Sequence, residues 1–171
     1  MTQTFKLVLL GDSGVGKTSF INRFATGDWD PKYFPTLSKR VVGLGTKFQT
    51  GKGLVEFEVH DAAGQHKFQG QCDGFYDGAD CAIIMCSIDS KLSCKSVKAW
   101  YDELQKHCPG IPVVIAGSKY DTPHPVPVDV IDFVRKHNLR YYFVSARSCY
   151  NFDKPFVDLA GQLTGGSATF E

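Results

Sequence analysis

Gly11-Asp12-Ser13-Gly14-Val15-Gly16-Lys17-Thr18 is the stretch on which the reading turns. An apolar run, Phe5 to Leu10, precedes it and a helical segment, Thr18 to Ala25, follows. Strand, glycine-rich loop and helix in that order make G-x-x-x-x-G-K-[ST] a phosphate cradle. The glycines let backbone N–H groups turn inward onto an anion, and the helix adds the positive end of its dipole. Asp12, Ser13, Gly14, Val15, Gly16, Lys17, Thr18 and Ser19 are therefore the candidate phosphate-contacting residues. Lys17 is of a length to reach the outer phosphates, and the Thr18 hydroxyl is a candidate Mg²⁺ ligand. The loop implies a nucleotide but neither its base nor its fate.

Outward from the loop, apolar runs alternate with helical patterns. Strands are expected at Phe5–Leu10, Val41–Phe48, Leu54–His60, Cys81–Cys86, Val113–Ala116 and Tyr141–Val144. Helices are expected at Thr18–Ala25, Leu92–His107, Val128–His137 and Asn151–Leu163. One hairpin followed by strand–helix alternation predicts an α/β fold. Its sheet would be six-stranded and mostly parallel, with one antiparallel edge strand and helices on both faces. Ligands of such sheets sit outside the carboxyl ends of the strands.

Three further motifs fall at those ends. Asp61-Ala62-Ala63-Gly64-Gln65 offers a carboxylate for Mg²⁺, a glycine N–H for a terminal phosphate and an amide to orient an attacking water. In Ser118-Lys119-Tyr120-Asp121 the Asp121 carboxylate matches the paired N–H donors of guanine, which adenine lacks. The Lys119 stem can cover the face of a base. Ser145-Ala146-Arg147 could present a backbone N–H to the guanine carbonyl. Taken singly, each of the three has an ordinary loop explanation; their shared position after strands is what favours a site.

The whole chain sets bounds. At 171 residues and 43% hydrophobic content, one globular domain spanning 1–171 is expected. A net charge of +1 gives no global field toward nucleic acid. The six cysteines form no C-x-x-C pair, so a reducing compartment and no zinc site are expected. No apolar run is long enough for a membrane span. Met1–Thr4 leads straight into the first apolar run and residues 165–171 hold no cysteine, so neither a signal peptide nor a prenyl anchor is expected.

The order G-x-x-x-x-G-K-T, D-x-x-G-Q, x-K-x-D, S-A-x resembles that of the Ras-like small GTPases over the whole chain, hence a P-loop NTPase G domain. Asp80–Met85, Lys136–Tyr142 and above all Ser145–Phe156 are similar to the Ran branch, which serves nuclear transport. The resemblance implies GDP and GTP as ligands with Mg²⁺, slow GTP hydrolysis and a nucleotide-dependent switch. It implies Lys17 and Gln65 as catalytic residues, and Thr18, Thr36 and Asp61 as the metal side. It places Trp29 against the guanine edge, Gly64 at the γ-phosphate and Phe68 as a partner anchor. An exchange factor, a GTPase-activating protein and nuclear transport receptors are the implied partners. A monomer moving between nucleus and cytoplasm is the implied state.

Departures from the pattern are Ser118 for the usual Asn, Ala62 for Thr and Arg147 for Lys. Ser118 is expected to lose a base contact and a tie to the phosphate loop. Thr122–Pro127 lacks the basic cluster of the Ran branch. A Rab-like GTPase, a GTP-binding module with little turnover and a small-molecule kinase are the rival readings; a base-reading Asp121 opposes the last.

Overall fold

The computed structural model describes residues 2–26, 40–43, 47–61, 74–121 and 127–170. β1 (Thr2–Leu10) is the central strand. It pairs in parallel with β4 (Gly53–Asp61) on one side and β5 (Cys81–Ser87) on the other. Beyond β5 lie β6 (Val113–Ser118) and β7 (Arg140–Phe143), both parallel. Along the other edge, β2 (Arg40–Gly43) and β3 (Phe48–Thr50) both pair antiparallel with β4. β8 (Ala168–Phe170) then adds antiparallel to β3.

Among the described residues, eight strand segments thus occupy seven positions across the sheet, one more than the six expected. The extra position is β8, whose three residues follow Gly165-Gly166 and are too few to show alternation.

Side chains of β1 point alternately to two cores, as the period of a strand requires. Leu7 and Leu9 join α1 (Lys17–Thr26) and α5 (Lys154–Thr164) on one face. There Phe156 packs against Phe20, Phe24, Phe48 and Phe57, with ring centroids 4.8–6.1 Å apart. Val8 and Leu10 join α2 (Lys91–Lys95), α3 (Val97–His107) and α4 (Val128–Lys136) on the other. Of the expected inward stripe Val97, Trp100, Tyr101 and Leu104, Tyr101 is only half-buried at the margin of this core and the other three are buried.

Two helix boundaries differ from expectation. Leu92–His107 divides at Ser96 into α2 and α3. Ser96 Oγ bonds back to the Leu92 carbonyl at 3.1 Å, and Ser93 Oγ to that of Ser90 at 2.9 Å. Serine hydroxyls compete in this way with a continuous helix. α5 begins at Lys154 rather than Asn151, because Cys149 and Asn151 hold left-handed φ of 61° and 53°. No described helix is long and apolar enough to cross a membrane.

The register aligns the strand ends. Leu9 lies beside Asp61, Leu10 beside Ile84, Ser87 beside Ser118 and Gly117 beside Phe143. Residues 11–18, Asp61, Ser118–Asp121 and Ser145–Arg147 consequently lie together at the carboxyl ends of the strands.

Candidate nucleotide site

The phosphate loop leaves β1 at Gly11, whose φ of 144° and contact with the Met85 carbonyl leave no room for a Cβ. Gly14 and Gly16 also hold positive φ, 80° and 96°. Val15 anchors the loop in the core, while Ser13 is exposed. α1 opens with Lys17, only 5% exposed. Its Nζ donates to the carbonyls of Gly11 at 2.7 Å and Asp12 at 3.0 Å, so the ammonium is folded over its own loop. Burial pushes its pKa down to about 8, against the opposing pull of Asp61 and Asp12.

Beside it, the Thr18 hydroxyl donates to Asp61 Oδ2 at 2.8 Å, and Asp61 is fully buried. A hydroxyl and a carboxylate are hard oxygen donors. Two such groups fit Mg²⁺, which takes few protein ligands and keeps phosphate and water oxygens for the rest. Among the described residues no group of three or more His, Cys, Asp or Glu could hold a metal. A dedicated all-protein cage is thus not what these residues provide.

The base-reading segment is tied to the phosphate loop at two points. Ser118 Oγ hydrogen-bonds to the Val15 carbonyl and lies 3.0 Å from that of Cys86. Lys119, at a left-handed φ of 61°, donates from Nζ to the Gly14 carbonyl at 2.9 Å. The expected loss of the loop tie at Ser118 therefore does not occur. The residue is buried where the loop backbone comes close, so a short hydroxyl suffices.

Asp121 Oδ1 accepts from the Ser145 hydroxyl at 2.7 Å, which couples the last two strand ends. Ser145 Oγ in turn accepts from the Ser148 N–H at 3.1 Å. Arg147 places a guanidinium nitrogen 4.0 Å from Asp121 Oδ2, and Ala146 is half-buried between these neighbours. Tyr120 and Tyr150 stack across the two loops, with centroids 5.0 Å apart and ring planes 15° from parallel.

Two contributors escaped the sequence reading. Trp100 was recognised only as core, yet its indole N–H donates to Asp12 Oδ1 at 2.9 Å. A buried indole needs an acceptor, and that requirement is the one signal available in sequence. Tyr150 braces the site through the stack on Tyr120 and a backbone carbonyl that accepts from Ser145 N–H at 3.1 Å. Trp29, Thr36, Gly64, Gln65 and Phe68 lie outside the described residues, as do Ala62 and the proline-rich stretch 122–126.

A model of the Ras family matches residues 6–164. This chain belongs to the Ras family. The match runs from Lys6 in β1 to Thr164, the last residue of α5, and so takes in every strand end described above. Ras-family proteins are small GTPases that bind GDP and GTP, generally with Mg²⁺. The mixed sheet flanked by helices is the fold of that family.

Proposed function

We propose that this protein is a Ran-type GTPase switch of nucleocytoplasmic transport, acting in nucleus and cytoplasm. The observation that carries the nucleotide reading is the double tie of Ser118 to Val15 and Lys119 to Gly14. It makes the base-side and phosphate-side loops one unit, as a site spanning a whole nucleotide demands. The Ran assignment rests on the sequence of Ser145–Phe156.

In this reading Asp121 selects guanine through its paired N–H donors. Lys17 leaves the carbonyls of Gly11 and Asp12 for the β- and γ-phosphates. Thr18, Asp61 and Thr36 would hold Mg²⁺, which when bound offsets phosphate charge. Gln65 orients the water that attacks the γ-phosphorus in line, the slow step that activators speed. Thr36 and Gly64 contact the γ-phosphate, so their segments change arrangement when it is lost. Exchange factor, activating protein and transport receptors read that difference.

Binding of labelled GDP, ADP and XDP tests the base reading. Wild type is expected to prefer GDP, and Asp121→Asn to prefer XDP; equal binding of ADP refutes it. Capture of transport receptors by protein loaded with a non-hydrolysable GTP analogue, but not GDP, tests the Ran assignment. Capture of vesicle-traffic effectors instead favours the Rab-like reading.

A further inference from the structure

Two large rings beside the base-reading loops have no place in either core. Tyr150 is 48% exposed and Tyr120 39%, yet they stack with centroids 5.0 Å apart and planes 15° from parallel. Burial does not fix rings so open to solvent; the contact between them does, and such pairs contribute beyond the area they cover. The row of rings continues inward. Phe143, the last residue of β7, tilts on Tyr120 at 5.0 Å, and Tyr141 meets Phe143 edge-on at 4.9 Å. There is no slack at the inner end, where a Cβ on Gly117 would sit 2.5 Å from the Tyr141 oxygen.

The stack closes a circuit through Asp121. Tyr120 directly precedes Asp121 in the chain, and its N–H donates to the Val144 carbonyl at 3.2 Å. The Tyr150 carbonyl accepts from Ser145 N–H at 3.1 Å, and Ser145 Oγ donates to Asp121 Oδ1 at 2.7 Å. Arg147, from the same turn, stands 4.0 Å from Asp121 Oδ2. Tyr150 is flanked by Cys149 and Asn151, non-glycine residues at left-handed φ of 61° and 53°. Such backbone persists where its surroundings impose it, and it gathers at ligand clamps. Arg23 of α1 holds the start of this turn, donating from Nε to Cys149 Sγ at 3.0 Å. The ring of Tyr150, seated on Tyr120, holds the other side.

We propose that Tyr120 and Tyr150 are positioning residues for the base: their stack keeps the Asp121 carboxylate aimed at the paired N–H donors of guanine. It thereby sets discrimination against purines that offer one such donor instead of two. The proposal rests on the guanine-nucleotide reading above and names what keeps that carboxylate on target. The two rings act through Asp121 rather than on the nucleotide. A carboxylate oxygen accepts more than one hydrogen bond, so Oδ1 can keep the Ser145 hydroxyl while facing a base. With the stack open, the turn at Tyr150 shifts, Ser145 moves with it, and Asp121 loses its hold on that side. The bond to the 2-amino group of guanine is then weakened, a bond that hypoxanthine never makes.

The test measures affinities of the full chain for GDP and for IDP, whose base lacks the 2-amino group, by competition with labelled GDP. Wild type should favour GDP by about ten- to a hundredfold, the worth of one hydrogen bond to a charged group. Tyr150→Ala should weaken GDP by about two- to tenfold, the effect of losing one aromatic pair, and IDP by a smaller factor, so that the ratio narrows. Tyr150→Phe keeps the ring and should restore the wild-type ratio. Tyr120→Ala should match Tyr150→Ala, and the double variant should narrow the ratio no further than either alone. A merely structural role would weaken GDP and IDP alike. Urea unfolding establishes which variants are folded, and with two alanine variants one unstable protein does not decide. A wild-type ratio in either folded alanine variant, a narrowed ratio in Tyr150→Phe, or additive narrowing in the double variant overturns the positioning role. Wild type that binds ADP as tightly as GDP refutes the guanine reading itself, and this proposal falls with it.

Discussion

Trp100 and Asp12, 88 positions apart in the chain, are joined by an indole N–H to carboxylate hydrogen bond of 2.9 Å. It ties the phosphate loop to α3 and so to the second core. Hydrogen bonds to charged groups contribute about 1.5–3 kcal/mol. Trp100→Phe keeps an aromatic ring and removes the donor. We expect a loss of stability of that order in urea unfolding, and faster release of labelled GDP. Unchanged release would mean that the bond supports the core alone.

Lys17 sets a pH dependence. Burial holds its pKa at about 8, below the ordinary 10.5. Between these values the unfolded chain binds more protons, so the stability of the empty protein should rise with pH there. Phosphates restore the charge, so binding at pH 8 should take up about half a proton, and affinity should fall as pH rises further. Calorimetry of GDP binding in buffers of differing ionisation enthalpy measures this uptake. Absence of uptake at pH 8 would place the ammonium outside the phosphate site.

Ser118 separates two effects of the same position. Ser118→Ala removes the donor to Val15 and Cys86 and should weaken GDP binding by about five- to a hundredfold, since a lost buried hydrogen bond costs about 1–3 kcal/mol. Ser118→Asn restores an amide within reach of a base and should tighten binding. Titration with labelled GDP decides both, and no gain from asparagine would count against a missing base contact.

For Gln65 the expectation is chemical. Gln65→Leu should bind GTP as wild type does while single-turnover hydrolysis with an activator falls by orders of magnitude. Wild type alone should turn over slowly, on the order of 10⁻⁴ s⁻¹. Stimulated turnover near the wild-type rate would remove the amide from its role.

Phe156 joins four phenylalanines from α1, β3 and β4. Phe156→Ala should cost about 3–5 kcal/mol, read as a lower urea midpoint with little change in slope. A loss below about 1 kcal/mol would show that the ring cluster closes over the gap.

The parts legible in sequence were those with local rules. Glycine and lysine spacing marked the phosphate loop, and alternation in Val55, Phe57 and Val59 marked β4, where all three are buried. Chain order after each strand located Asp61, Ser118–Asp121 and Ser145. What escaped depends on tertiary neighbours. The Trp100 bond needs α3 folded over the loop. Serine at 118 read as a loss because its distance to Val15 belongs to the fold, not the motif. The late start of α5 follows from left-handed Cys149 and Asn151, which helical periodicity does not reveal.

The position of β1 has a consequence for the order of assembly. β1 precedes both of its neighbours in the chain yet lies in the middle of the sheet, and its partners begin at Leu54 and Cys81. Contacts so distant in sequence slow folding, because long loops close before they are rewarded. On the ribosome, β1 and its glycine loop emerge with neither neighbour available. The floor under Val15 is supplied only when Ser118 has left the exit tunnel, so competence for ligand arises late and nearly all at once.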